Sequence, residues 1–171
     1  MAAPTPMIEL DRRIDGGPAE AALTLPLDKR IRSRLRVTLD DGRDAGVFLA
    51  RGEVLRDGDL LGSADGLVVI VRAAAEPVSE VHCEDPLLLA RACYHLGNRH
   101  VALQIDGGRL RYQHDHVLDD MLRGLGLEPA FAEVPFEPEP GAYGRGANGH
   151  AHEHGHAAHD HHGHGSHDHG H

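Results

Sequence analysis

The chain contains no tryptophan, three phenylalanines, and only two cysteines in 171 residues. Each scarcity excludes something. Two thiols, Cys83 and Cys93, cannot build the disulfide framework of a small secreted domain, and reduced thiols are expected. The N-terminal stretch Met1-Ala2-Ala3-Pro4-Thr5-Pro6-Met7 lacks both the basic start and the apolar run of a secretory signal. No window approaches the ~20 apolar residues that a bilayer demands. A cytoplasmic protein with no membrane partner is the expectation. Basic excess is missing as well: the formal net charge is −10, which argues against a nucleic-acid binder. No phosphate-cradling glycine loop, no His-Glu-x-x-His and no supported Ser/His/Asp or Cys/His set occurs. The reading is therefore a protein that is not an enzyme.

What is abundant is histidine, sixteen in all, and it is unevenly spread. Eleven crowd the C-terminal end: His150, His152, His154, His156, His159, His161, His162, His164, His167, His169 and His171. Glycine, alanine and aspartate separate them, mostly at i+2 and i+3. An expression tag would be contiguous, yet only His161-His162 are adjacent. Imidazole suits nickel, zinc and copper, and small spacers let several rings converge on one ion. The segment from residue 141 to 171 is thus read as a disordered, His-rich metal-binding tail. Binding competes with protonation and should weaken as pH falls below ~6.5.

The remainder divides in two. Residues 1–75 read as an all-β domain. Short apolar runs at 7–10, 22–27, 34–39, 45–49 and 67–71 are separated by turn signals such as Asp41-Gly42 and Asp57-Gly58. Within it, Arg30, Arg32, Arg34 and Arg36 are expected on one face of a strand, either as a charged edge or as a docking stripe for an acidic partner. Ala73 to Pro77 is the expected linker.

Residues 76–140 alternate strand and helix: strand 78–82, a helix from Asp85-Pro86 to Gly97, strands 101–106 and 109–113, a helix from about Asp115, and a strand over 129–136. Asp85 before Pro86 is a helix start. Leu88, Leu89, Ala92, Cys93 and Leu96 form its apolar stripe. The second helix should turn Val117, Leu118, Met121, Leu122 and Leu125 inward. The fold class is α+β: an all-β domain followed by a ferredoxin-like βαββαβ domain.

Two candidate ordered sites lie in that second domain. His100 follows the first helix at the hinge to the next strand. One imidazole holds an ion poorly, but in a two-fold homodimer with His100 near the axis two rings face one ion, and tail histidines could complete the set. His114 and His116 form the other candidate: two residues apart in extended backbone they lie ~7 Å apart on one side, whereas at a helix start they diverge. His82, His95, Cys83 and Cys93 rank below these, with Cys93 on the apolar stripe. A metal hydrolase would need an open, fixed site with a general base, of which only His114/His116 offers any part.

Four pieces together carry a family resemblance: Arg32-Ser33-Arg34-Leu35-Arg36-Val37-Thr38-Leu39-Asp40-Asp41-Gly42, Leu55-Arg56-Asp57-Gly58-Asp59, His95-Leu96-Gly97-Asn98-Arg99-His100, and Leu110-Arg111-Tyr112-Gln113-His114-Asp115-His116-Val117-Leu118. With the Gly141-Ala142-Tyr143-Gly144 step and the histidine-rich end, the chain from about residue 7 resembles the urease accessory protein E family. The resemblance implies a homodimeric nickel metallochaperone that delivers Ni(II) to the urease apo-complex beside an accessory GTPase. His100 matches the family's interface nickel position, and His114 and His116 match a second pair that not all members keep. Zn(II) or Cu(II) should also bind in vitro. The alternative reading is a nickel or zinc store without a dedicated client, which leaves the β domain idle.

Overall fold

The computed structural model describes residues 7–140. The expected metal-gathering tail, 141–171, lies outside the described residues. With it lie eleven of the candidate ligands: His150, His152, His154, His156, His159, His161, His162, His164, His167, His169 and His171.

Residues 8–73 form a six-stranded mixed sheet in the order β2-β6-β5-β1-β4-β3. Its strands are β1 (Ile8–Ile14), β2 (Ala21–Leu25), β3 (Arg34–Thr38), β4 (Asp44–Phe48), β5 (Leu60–Ser63) and β6 (Val68–Ala73). The two outer strands approach each other at Asp40, whose N–H donates to Ala22 O at 2.9 Å while its carboxylate takes both the N–H and the hydroxyl of Thr24. The sheet thus curls around a core of leucine, valine and alanine, with Leu10, Leu23, Val47, Leu61 and Val69 fully buried. No large aromatic side chain is needed there, consistent with the aromatic-poor composition.

Two elements depart from expectation. β5 is four residues long and hemmed in by turns at both ends, which hid it among the loop signals. A single-turn helix, α1 (Leu27–Arg30), follows Pro26, between the strand-like run over 22–27 and the arginine-bearing strand expected from Arg30. Proline fixes φ near the helical value and offers no N–H, so it ends β2 and opens the turn.

That turn overturns the arginine stripe. Arg30 is not on a strand face; it is wholly buried. Its guanidinium donates to Leu25 O at 3.1 Å, Leu55 O at 3.2 Å, Phe136 O and the Glu137 carboxylate. A guanidinium with five donors tolerates burial only when so surrounded. Arg32, Arg34 and Arg36 remain exposed, and Arg36 pairs with Asp44 at 2.7 Å.

The expected linker is also absent as such. β6 ends at Ala73 and β7 (Ala75–His82) begins two residues later. Ala74 N–H donates to Leu25 O at 2.9 Å. Glu76, at the start of β7, reaches back to accept from Leu27 N–H at 2.7 Å. Leu27, Val78 and Phe136 then pack together as a small third core between the two sheets. The joint is made of ladder, cap and packing rather than open chain.

The second half has the expected βαββαβ order. β7 is followed by α2 (Pro86–Gly97), β8 (Gln104–Asp106), β9 (Arg109–Gln113), α3 (His116–Gly124) and β10 (Ala130–Pro135). The sheet order β10-β7-β9-β8 is antiparallel throughout, as a split βαβ unit requires. Asp85 and Asp115 cap the two helices, each carboxylate accepting from the N–H groups two and three residues on. Gly107 and Gly108, at φ 51° and 85°, make the two-residue turn of the β8–β9 hairpin. Ala92, Leu96, Leu110, Tyr112 and Leu122 form the core. Val117 is a correction: it is 56% exposed. It lies one residue, ~100° of helix, away from the stripe of Leu118, Met121, Leu122 and Leu125. No helix among the described residues is long and apolar enough to cross a membrane.

Candidate metal-handling site

His100 is placed by the way α2 ends. Val101 N–H donates to Leu96 O at 3.2 Å, and His100 N–H donates to Gly97 O at 2.9 Å. These six-to-one and five-to-two bonds are the two closures of a Schellman motif. Leu96 and Val101, which bracket it, share the same apolar core. The motif requires a left-handed residue between them, and His100 fills that position with φ 58°. It is the only non-glycine at positive φ among the described residues. Gly97, which reads as the natural stop, is helical, and the chain turns three residues later. The strand expected from Val101 begins only at Gln104, because Val101 to Leu103 complete this turn.

The histidine's ring is exposed. Exposed apolar side chains stand on the same helix and the next strand: Leu87 (59%), Tyr94 (65%) and Ile105 (41%). Tyr94 packs edge-on against His95 at 5.4 Å. The chain leading to the tail also passes here. Glu139 N–H donates to Leu103 O at 2.7 Å, and Glu137 N–H donates to the Gln104 side chain at 3.0 Å.

His114 and His116 sit at the junction between β9 and α3. His114 follows β9, Asp115 is extended and caps α3, and His116 is the first residue of that helix. The two rings have unlike surroundings. His114 Nδ1 lies 3.0 Å from Ser79 Oγ and 3.6 Å from Asp119 Oδ2, and its ring meets Phe131 edge-on at 5.1 Å. His116 is exposed. Among the described residues no three His, Cys, Asp or Glu side chains converge as a metal site. A single copy therefore does not gather His100, His114 and His116 into one three-ligand site among the described residues.

The lesser candidates have other partners. His82 Nε2 lies 2.8 Å from Glu80 Oε1. Burial opposes ionisation of Glu80, but bonds from Arg111 and His82 outweigh it and draw the carboxyl below its usual range. Cys83 is buried, its thiol on Asp85 O at 3.3 Å. Burial pushes the Cys93 thiol up, which disfavours the thiolate that a metal would need.

Ser79, Tyr112 and Asp119 escaped the sequence reading. Asp119 carries the one available signal, an acid within one turn of Leu118 and Leu122 on an amphipathic helix. Nothing marked Ser79 or the clasp of Arg30 with Glu137, since both depend on chain segments far apart in sequence.

Two family models match the chain. The N-terminal domain of the UreE urease accessory protein matches residues 7–74, and the C-terminal domain of the same protein matches residues 76–171. Proteins named urease accessory protein UreE are similar over most of their length. That of Alkalilimnicola ehrlichii is 64% identical over 139 residues, covering 81% of this chain and 85% of the relative. That of a Pseudomonas putida strain is 62% identical over 148 residues, covering 84% and 90%. That of Escherichia coli O157:H7 is 57% identical over 147 residues, covering 84% and 95%. With both halves matched and relatives this similar, the chain belongs to the UreE family of urease accessory proteins.

Proposed function

We propose that this protein is a cytoplasmic, non-enzymatic nickel metallochaperone, a homodimer that binds Ni(II) through His100 of both copies and passes it to the urease apo-complex beside an accessory GTPase. The observation that carries this reading is His100 itself. A left-handed non-glycine residue costs on the order of 1–3 kcal/mol and persists where function requires it. Here that residue is a metal-ligating type with an exposed ring. Leu87, Tyr94 and Ile105 supply apolar surface of the kind a second copy would cover.

The tail histidines, from His150 to His171, collect ions. The bond from Glu139 to Leu103 starts that segment three residues from His100, which favours transfer between them. His114 and His116 provide a second, auxiliary binding place. Urease maturation is the process served, and nickel is the cargo within it. Zinc and copper should bind in vitro as well, with copper strongest by the usual divalent order.

Sedimentation and nickel titration of the full chain and of a chain lacking 150–171 test the reading. Truncation should lower the number of ions bound while leaving a dimer and one tight ion, and His100→Ala should remove that ion. His100→Ala should also impair urease activation more than His114→Ala. A protein that stays monomeric with and without nickel overturns the proposal, and so does loss of all tight binding on truncation.

A further inference from the structure

The surroundings of His114 are more organised than a lone surface histidine needs. Ser79 faces Tyr112 across the β7–β9 pair and Phe131 across the β7–β10 pair. His114 stands two residues beyond Tyr112, where side chains in a strand return to the same face. From above this row, α3 lowers Asp119, which is 6% exposed.

Polar atoms link all of them. Tyr112 hydroxyl donates to Asp119 Oδ1 at 2.7 Å. Ser79, fully buried, faces Tyr112 across the strand pair, and its hydroxyl lies 3.0 Å from His114 Nδ1. Asp119 Oδ2 stands 3.6 Å from that same nitrogen.

The contacts favour one set of protons. A buried carboxylate needs donors around it. Tyr112 supplies one at Oδ1, and the imidazole is the group facing Oδ2. Were Nδ1 the unprotonated nitrogen, its lone pair would face the carboxylate. With Nδ1 protonated, Nδ1–H points at Ser79 Oγ and Asp119 Oδ2, and Tyr112 donates to Asp119 Oδ1. Both carboxylate oxygens then face a donor.

We propose that Ser79, Tyr112 and Asp119 are positioning residues that hold His114 in its Nδ1–H tautomer, leaving the Nε2 lone pair for a divalent cation. The inference rests on the reading of His114 as an auxiliary metal ligand. Among the described residues Nε2 makes no hydrogen bond, and the side chain is 38% exposed. Orientation through the far nitrogen is how proteins aim metal-ligating histidines, and removal of such a partner typically weakens metal binding by about 10–100-fold. His116, exposed and first in its helix, then acts as the mobile partner of a fixed ring.

Imidazole nitrogen NMR of the full-length protein, at a pH where the ring is neutral, tests this directly. The His114 signals are assigned by their absence in His114→Ala. The expected result is the Nδ1–H tautomer in the wild type and a mixture in Asp119→Asn. Titration with nickel chloride then forms a double-mutant cycle. Asp119→Asn should weaken the His114-dependent binding about 10–100-fold and change nothing further in His114→Ala. A general structural role would instead weaken binding equally in both backgrounds and overturn the proposal. An Nε2–H tautomer in the wild type also overturns it, even if Asp119→Asn fails to fold. Tyr112→Phe, which keeps the ring and removes the donor, should shift the tautomer in the same direction to a smaller extent. Nδ1–H together with nickel binding indifferent to His114→Ala defeats the metal reading alone and leaves the hydrogen-bonded lock in place.

Discussion

α2 and α3 close with the same two backbone bonds but place different residues at the left-handed turn. In α2 the bonds run from Val101 to Leu96 and from His100 to Gly97, at 3.2 and 2.9 Å. In α3 they run from Leu127 to Leu122 and from Gly126 to Arg123, at 3.0 and 2.9 Å. Gly126 turns at φ 89° and His100 at φ 58°. A residue with a Cβ pays roughly 1–2 kcal/mol for that conformation, and glycine does not. One helix end therefore has the residue that stability favours, and the other has a residue that stability alone would not select. The identical backbone isolates the difference to one side chain, which is exposed. Local packing gives no reason for it, whereas the ligation proposed above would.

The largest effects should fall on both ends alike. Leu96 and Leu122 occupy the same position in the two motifs and are fully buried in the same core. Leu96→Ala and Leu122→Ala should each lower stability by about 2–5 kcal/mol, read from denaturant midpoints at constant slope. A Leu96 substitution that proved nearly neutral would mean that the end of α2 is loosely held, and the comparison would fail at its base.

Gly126→His is the intermediate case. A Cβ added there meets nothing within 4 Å, so only the backbone penalty applies and the loss should be about 1 kcal/mol. Nickel titration should show no new tight ion, because a histidine at the same torsion in the wrong place has no partner ring. Gain of such an ion would show that position along the sheet is irrelevant and that any exposed imidazole serves.

The contrast also shows what the sequence made legible. Periodicity placed α2, α3 and their strands because both helix stripes and the Asp85 and Asp115 caps are local signals. The N-terminal strands were visible for the same reason, except β5, whose Leu60–Ser63 is too short to show a period. The end of α2 was misread because Gly97 is the residue type expected to stop a helix, whereas the turn falls on His100. Propensity did not decide the stop there: Gly97 stays helical and the left-handed turn falls on a histidine. Arg30 was misplaced because its alternation with Arg32, Arg34 and Arg36 mimics a strand face. Its burial is decided by Phe136 and Glu137, more than a hundred residues away, which no local pattern reports. Ser79 and Asp119 were missed for the same reason, since the hydrogen bonds that involve them cross from β7 and α3 to the end of β9.

The smallest stability change should carry the sharpest functional one. His100→Gly restores at α2 the residue that α3 already uses, and relief of the left-handed strain should raise stability by a few tenths to about 1 kcal/mol. The gain is limited because glycine also enlarges the entropy of the unfolded chain. His100→Asn should be near neutral, since asparagine tolerates the same conformation. Both variants lack the imidazole, so under the proposed function both should lose the tight ion and the enhancement of urease activation, whatever their stability. Melting curves set beside nickel titrations of the two proteins would show it. A more stable His100→Gly protein that has lost its ion would mean that the strain at α2 is kept for ligation. If His100→Gly kept the tight ion, the cation would be held elsewhere, and the difference between the two helix ends would be without a functional cause.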